Sequence, residues 1–188
     1  MKTEDFLQFD LDSVITSPND GVTFVDGTDQ FPAFRVSSNA DIKTPYRIVL
    51  PDKLYEFAIM ATIRADTQPD GYLFAVVNPL DTMVQLGIKL TRTSSNKLNI
   101  TLIYADANSP PPNPNLVTFQ VPYTKSWMSI AFKVLNDKVV FYHNCINTET
   151  AEVNKDPKEL IFDSASTFYV AQAGPELKGK FEVSLFLC

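Results

Sequence analysis

WMSIAFKVLNDKVVFYHNC, residues 127–145, decides how the rest of this chain is read. In its first half Met128, Ile130, Phe132 and Val134 fall on one side, with Ser129, Ala131 and Lys133 opposite. Strict alternation of this kind marks a half-buried strand. Asn136-Asp137 then parts it from a second apolar run, KVVFYH (138–143), as a tight hairpin turn does. Two short strands around a two-residue turn predict an antiparallel unit.

Moving outward, the same pattern recurs. LYEFAIMATIRA (54–65) places Tyr55, Phe57, Ile59, Ala61 and Ile63 on one face. GYLFAVV (71–77), MVQLGIKL (83–90), KLNITLIY (97–104), VTFQV (117–121), TFYVAQA (167–173) and FEVSLFL (181–187) read as further strands. Asp20-Gly21 and Asp70-Gly71 offer positive φ at little cost and are expected to be turns. EDFLQFDL (4–11) is the one segment expected to make a turn or two of helix. ANSPPPNPN (107–115) carries four prolines and predicts an exposed, extended loop between two strands. Many short strands with frequent turn signals predict an all-β, two-sheet antiparallel sandwich of about a dozen strands. No boundary or internal repeat divides 1–188, so a single domain is expected.

Composition narrows the function classes. Hydrophobic residues make up 45% and charged residues 20%, ordinary globular values. The net charge of −6 argues against a nucleic-acid binder, which needs a basic face to neutralise phosphates. No run approaches the roughly 20 apolar residues of a membrane-spanning helix, so no membrane partner is expected. The N-terminus MKTEDFLQFDLDS lacks a signal-peptide layout, which suits either an intracellular protein or an isolated domain with an added Met.

The candidate sites follow from residue chemistry. His143, the only histidine, lies two residues before Cys145, one of two cysteines. On a strand the two would share a face about 7 Å apart, too far for thiolate activation. A structural zinc wants four ligands, and only Cys188 remains to join them. A disulfide between Cys145 and Cys188 is the preferred reading. Closing that loop would stabilise by about 4 kcal/mol in the chain-entropy model. Glycosidase chemistry needs two acids facing each other. The acids here sit instead in turns, at Asp66, Asp70, Asp81, Asp106, Asp137 and Asp156, so no catalytic residue is assigned. Asp81 is the loop acid expected to hold calcium, if any cation is bound. Asn99-Ile100-Thr101 is the sole N-glycosylation sequon. Lys89, Arg92 and Lys97 would share one rim if their strands pair, a candidate glycosaminoglycan site.

Taken in order, GYLFAVVNPLDTMVQLGIKL, KSWMSIAFKVLNDKVVFYHNC and STFYVAQAGPELKGKFEVSLFL resemble the thrombospondin N-terminal-like domain of collagens XV and XVIII. That domain is one of the laminin G-like jelly rolls. The resemblance runs from about Asp5 to Leu187, and FYVAQAG (168–174) is among its most specific pieces. It implies a secreted, non-enzymatic matrix module of the basement membrane, needing no cofactor. Its partners would be matrix or cell-surface proteins, with heparan sulfate a further candidate, and the isolated domain would be monomeric. It also implies that Cys145 and Cys188 pair. The alternative function is a lectin-like glycan-binding module; a weaker one is a β-sandwich glycosidase.

Overall fold

The structure is a computed structural model describing residues 5–7, 14–15, 21–28, 32–65, 69–94, 96–108, 110 and 113–187. The strands are β1 (Asp5–Leu7), β2 (Val22–Asp26), β3 (Pro32–Val36), β4 (Ile42–Pro45), β5 (Lys53–Leu54), β6 (Phe57–Ala65), β7 (Asp70–Val77) and β8 (Val84–Ser94). They continue as β9 (Lys97–Tyr104), β10 (Asn115–Pro122), β11 (Met128–Val134), β12 (Lys138–His143), β13 (Asn147–Glu152), β14 (Leu160–Ile161), β15 (Thr167–Val170) and β16 (Val183–Leu187). A single helical turn, α1 (Gly174–Leu177), lies between the last two strands.

The strands form two main sheets. The larger has the order β13-β12-β11-β6-β16-β3-β2, with β1 added beside β6. The smaller has the order β10-β9-β8-β7-β15-β4, and β14-β5 make a two-stranded ribbon. Among the described residues all strand pairings are antiparallel except β1 with β6. This is the predicted jelly-roll sandwich. Runs of consecutive strands pair within one sheet (β7 to β10 in the smaller, β11 to β13 in the larger), and connections such as β6 to β7 and β10 to β11 cross to the other sheet.

The predicted alternation places the core between the sheets. Met128, Ile130, Phe132 and Val134 from β11 are buried, and so are Leu86, Ile88 and Leu90 from β8 and Leu98, Ile100 and Leu102 from β9. Phe132 and Phe141 pack with Phe119 across the gap at centroid distances of 4.8 to 6.1 Å. Such ring pairs add about 0.5–1.5 kcal/mol beyond their buried area. The hairpin at Asn136-Asp137 forms as expected, with Leu135 N–H donating to the Lys138 carbonyl at 2.9 Å.

Three local expectations need correction. Asp5–Leu7 is strand rather than helix, because β16 pairs only Ala61–Ala65 of β6 and leaves Phe57–Ile59 to bond another chain segment. The rest of that expected helix lies outside the described residues. Gly71 is no turn residue: it pairs with Leu90 inside β7. It is glycine because a Cβ there would stand 2.1 Å from the Gly179 carbonyl oxygen. Cys145 does not continue the strand of His143, since Asn144 and Cys145 both take left-handed φ (52° and 58°) in the β12–β13 turn. Gly21, with φ of 102°, behaves as predicted.

Candidate functional site

The smaller sheet buries alternate side chains against the core and turns the others outward. Along β8 and β9 the outward set includes Gly87, Lys89, Thr91, Asn99, Thr101 and Ile103, with Lys89 opposite Thr101 and Thr91 opposite Asn99. A second apolar cluster forms on this outer face from Ala75, Val77, Val84, Ile103, Tyr169 and Ala173. Gly87 keeps its floor low, because a Cβ there would lie 2.8 Å from the Phe74 carbonyl oxygen and 3.1 Å from Val84.

Three segments wall this floor. The first is the 78–83 hairpin, organised by nearly buried Asn78. Its Oδ1 accepts from the backbone N–H of Thr82 and of Met83, each at 2.9 Å, and its Nδ2 donates to Thr82 Oγ1 at 3.0 Å. The second is the 171–180 segment. Its turns need left-handed φ at Ala171, Gly174, Lys178 and Gly179, and its Gly179 carbonyl accepts from Tyr72 N–H at 3.0 Å. Leu177 of α1 thereby packs on the outer cluster beside Tyr72. The third is the end of the proline-rich loop, where the Pro114 carbonyl accepts from Tyr104 N–H at 3.0 Å.

Between these walls lies a groove of about 300 Å³. Its polar lining comprises Tyr72, Thr82, Lys89, Thr91, Thr101 and Asn115, and its apolar lining includes Val84, Ile103 and Leu177. Lys89 Nζ stands 5.6 Å from the Tyr72 ring centroid, a cation–π contact that orients both groups. Thr101 and Thr118 share a hydroxyl hydrogen bond of 2.9 Å. Burial raises the Tyr72 phenol above its ordinary pKa. None of the described lining residues is a carboxylate or a histidine. The arrangement can accept hydrogen bonds, donate them and hold one anionic group, with an apolar floor for a ring face.

The residues singled out in the sequence fall apart or together as follows. Lys89 lines the groove. Arg92 does not join it, because it shares a side with buried Leu98 and lies 4.8 Å from the Tyr123 ring centroid, with Nε donating to the Ser94 carbonyl at 2.9 Å. Lys97 is exposed at the far end of β9, four residues along from the Thr101 that faces Lys89. The expected common rim of Lys89, Arg92 and Lys97 is therefore not formed: the period of two sends Arg92 to the other side of the sheet.

Asp81 sits at the hairpin tip with φ of 53°, and the Tyr169 hydroxyl donates to its Oδ1 at 3.5 Å. Lys43 bonds Asp41 at 2.9 Å, and Asp41 is the main cause of its raised pKa, with a smaller contribution from the charge of Asp81. Among the described residues no three His, Cys, Asp or Glu side chains converge as a metal site. Asn99 is half-buried on the outer face, its Oδ1 accepting from Gln120 Nε2 at 3.0 Å. His143 lines a separate cleft of about 370 Å³ with Glu149 and Gln120. Burial lowers its pKa, and Glu149 opposes that shift. Cys145 is exposed and unbridged among the described residues, and Cys188 lies outside them.

The groove itself was not foreseen. Its floor residues read in sequence as the polar halves of ordinary strands. The signal lay in FYVAQAGPELKG (168–179), whose two glycines mark the close passage of this segment over the sheet.

No family model matches the chain. It is similar to the human collagen alpha-1(XVIII) chain, 25% identical over 167 residues, which cover 88% of this chain and 10% of the collagen. The chain thus spans about a tenth of that relative. Solved structures of similar fold include domain 4 of an extracellular arabinanase from Geobacillus stearothermophilus, in complex with arabinotriose. It has a TM-score of 0.53 at 15% identity and covers 92% of this chain and 77% of that one. A pentraxin from Limulus polyphemus also has a TM-score of 0.53 at 15% identity, covering 88% of this chain and 74% of that one. The resemblance to a thrombospondin N-terminal-like, laminin G-like domain stands on the collagen similarity and the shared jelly-roll fold.

Proposed function

We propose that this chain is a non-enzymatic module of the extracellular matrix, part of a collagen-like chain, that meets its partners through the groove on the smaller sheet. The similarity to the collagen alpha-1(XVIII) chain over most of the present chain supports the matrix setting. Basement membrane is the setting proposed, with matrix or cell-surface proteins as partners and the isolated domain a monomer. The observation that carries the non-enzymatic reading is the groove lining, which among the described residues offers hydroxyls, an amide and one ammonium, with no carboxylate. Glycoside hydrolysis needs a pair of acids about 5–9 Å apart. Eliminative cleavage needs a base, and a phenol whose pKa burial has raised is a poor one at neutral pH.

The lining favours a second reading, glycan binding. Hydroxyl and amide groups beside an aromatic ring and an apolar floor suit a sugar, and Lys89 suits one acidic or sulfated substituent. The arabinotriose complex of a similarly folded domain is consistent with it. Retention on immobilised heparan sulfate, with calcium and with chelator, tests both readings. Under the glycan reading Lys89→Ala loses retention while Arg92→Ala keeps it, and chelator changes nothing unless Asp81 holds calcium. Release of sugar products during the incubation would overturn the non-enzymatic reading.

The Cys145–Cys188 bridge belongs to the same proposal. Leu187 pairs with Ala61, and Ala61 lies beside Ile130, which faces His143. That row spans three strand spacings, about 14 Å. The bridge therefore forms only where the chain end leaves this ladder. Alkylation of the unreduced protein decides it: an unlabelled Cys145 supports the bridge, and a labelled one removes it.

A further inference from the structure

The sequon at Asn99 lies on the same outer face as the groove, beside its lining residues Thr91 and Thr101. Asn99 and Thr101 are successive outward residues of β9, about 7 Å apart. Thr101 lines the groove, and so does Thr91, the β8 partner directly opposite Asn99. Lys89 is the diagonal neighbour of Asn99 across the same pair of strands, about 7–8 Å away. Thr82 and Met83 of the hairpin line the groove before the start of β8, and Leu177 flanks it beside Tyr72. Asn99 therefore stands where the groove runs out along β9 toward Lys97. Its side-chain oxygen is held by Gln120 of β10.

The geometry points to Asn99 as an N-glycosylation site whose first sugars lie over Thr91, Thr101 and Lys89, so that glycosylation closes the groove. A sugar ring is about as wide as the spacing of alternate residues on a strand, so the first one or two residues of a glycan reach Lys89 without bending. Two features of the floor suit them. The hydroxyls of Thr91 and Thr101 offer the first sugars hydrogen bonds, and the apolar cluster around Val84 and Ile103, further along the groove, offers a later ring face a place to rest. Glycosylation precedes folding, so the later pairing of Thr101 with Thr118 is no obstacle to sequon use. The bare and the glycosylated forms then differ in one respect, access to the groove. This inference rests on the reading of the chain as secreted, because N-linked transfer occurs in the secretory pathway.

The test needs no groove ligand. The chain is secreted from eukaryotic cells behind a leader peptide, and its intact mass and the glycan at Asn99 are measured. The folded protein is then acetylated briefly, and the extent at Lys89 is compared with exposed Lys125 and Lys138 as internal references. Three forms are compared: the glycosylated chain, Asn99→Gln, and the glycosylated chain after enzymatic removal of its glycan. The third form keeps the comparison valid should Asn99→Gln fold poorly. The expected result is a glycan at Asn99 and Lys89 acetylation several-fold lower in the glycosylated chain, restored in the other forms, with the references unchanged. A secreted chain bare at Asn99, or a glycosylated chain whose Lys89 reacts as fast as in the other forms, overturns the inference. Failure of heparan sulfate binding would leave this result untouched, so the two readings fail separately.

Discussion

Lys155 is fully buried, an uncommon place for an ammonium. Its Nζ donates to the Tyr55 carbonyl and lies 5.2 and 5.6 Å from the ring centroids of Tyr55 and Tyr104. Burial is the larger influence and pulls its pKa down from 10.5 to about 8, with Glu56 opposing. That difference corresponds to about 3 kcal/mol against the charged form, while each ring returns about 0.5–2 kcal/mol to it. Because the folded pKa is the lower one, the unfolded chain binds more protons between pH 8 and 10.5. Stability therefore rises with pH across that window, and the burial cost is fully present below it. Replacing the residue in Lys155→Met removes the titration. The expected outcome is that the melting temperature of the natural chain gains on that of Lys155→Met as pH goes from 7 to about 9.5, below the ordinary tyrosine range. A constant difference would mean that the two rings hold the charge in place. Asp156 next to it reads as a turn acid in the sequence, but nothing in EVNKDPKE (152–159) reveals that the segment folds its lysine inward between two tyrosines.

At the scale of elements, the strands that were legible are those with one face in the core. β9 and β12 match their predicted bounds because Leu98, Ile100 and Leu102, or Val139 and Phe141, mark that face unmistakably. The strand β13, NTETAE, gave no signal, since an edge strand whose described side chains are mostly exposed has no buried face to advertise. β2, β3 and β4 escaped for a related reason: they are short and lie toward the far edges of the two sheets, where burial alternates weakly. The 171–180 wall depends on glycines instead. In Gly71→Ala the new methyl meets the Gly179 carbonyl oxygen at 2.1 Å, and backbone must move. Overpacking of this kind costs about 1–3 kcal/mol, or roughly 2–12 °C in a chain of this size. Thermal unfolding of Gly71→Ala should show a loss in that range. Loss of the Tyr72–Gly179 hydrogen bond would also appear as faster amide exchange at Tyr72. An unchanged melting temperature and unchanged exchange would mean that the segment does not rest on β7.

For the molecule as a whole, charge and fold pull in different directions. The net charge of −6 repels a sulfated polymer at long range, and salt relieves that repulsion over a screening length of about 8–10 Å. The contact between Lys89 and an anionic substituent is short-range, and salt weakens it. The three-cation rim read from the sequence would have made the second effect dominant. Among the described residues the structure leaves one cation in the groove, with Arg92 on the other side of the sheet and Lys97 at the end of β9. For polyanions in general the logarithmic salt dependence of affinity scales with the number of charges contacted, at about 0.7–0.9 per contact. Heparan sulfate should therefore show a shallow slope of about one or less, reduced further by relief of the long-range repulsion. Neutralising Lys89 should flatten it, while Arg92→Ala should leave it as it is. A slope of about 2–2.7 that each of the three replacements lowers by about 0.7–0.9 would show that polymer binding gathers Lys89, Arg92 and Lys97 after all. It would move the binding surface from the groove to the rim at the β8–β9 hairpin.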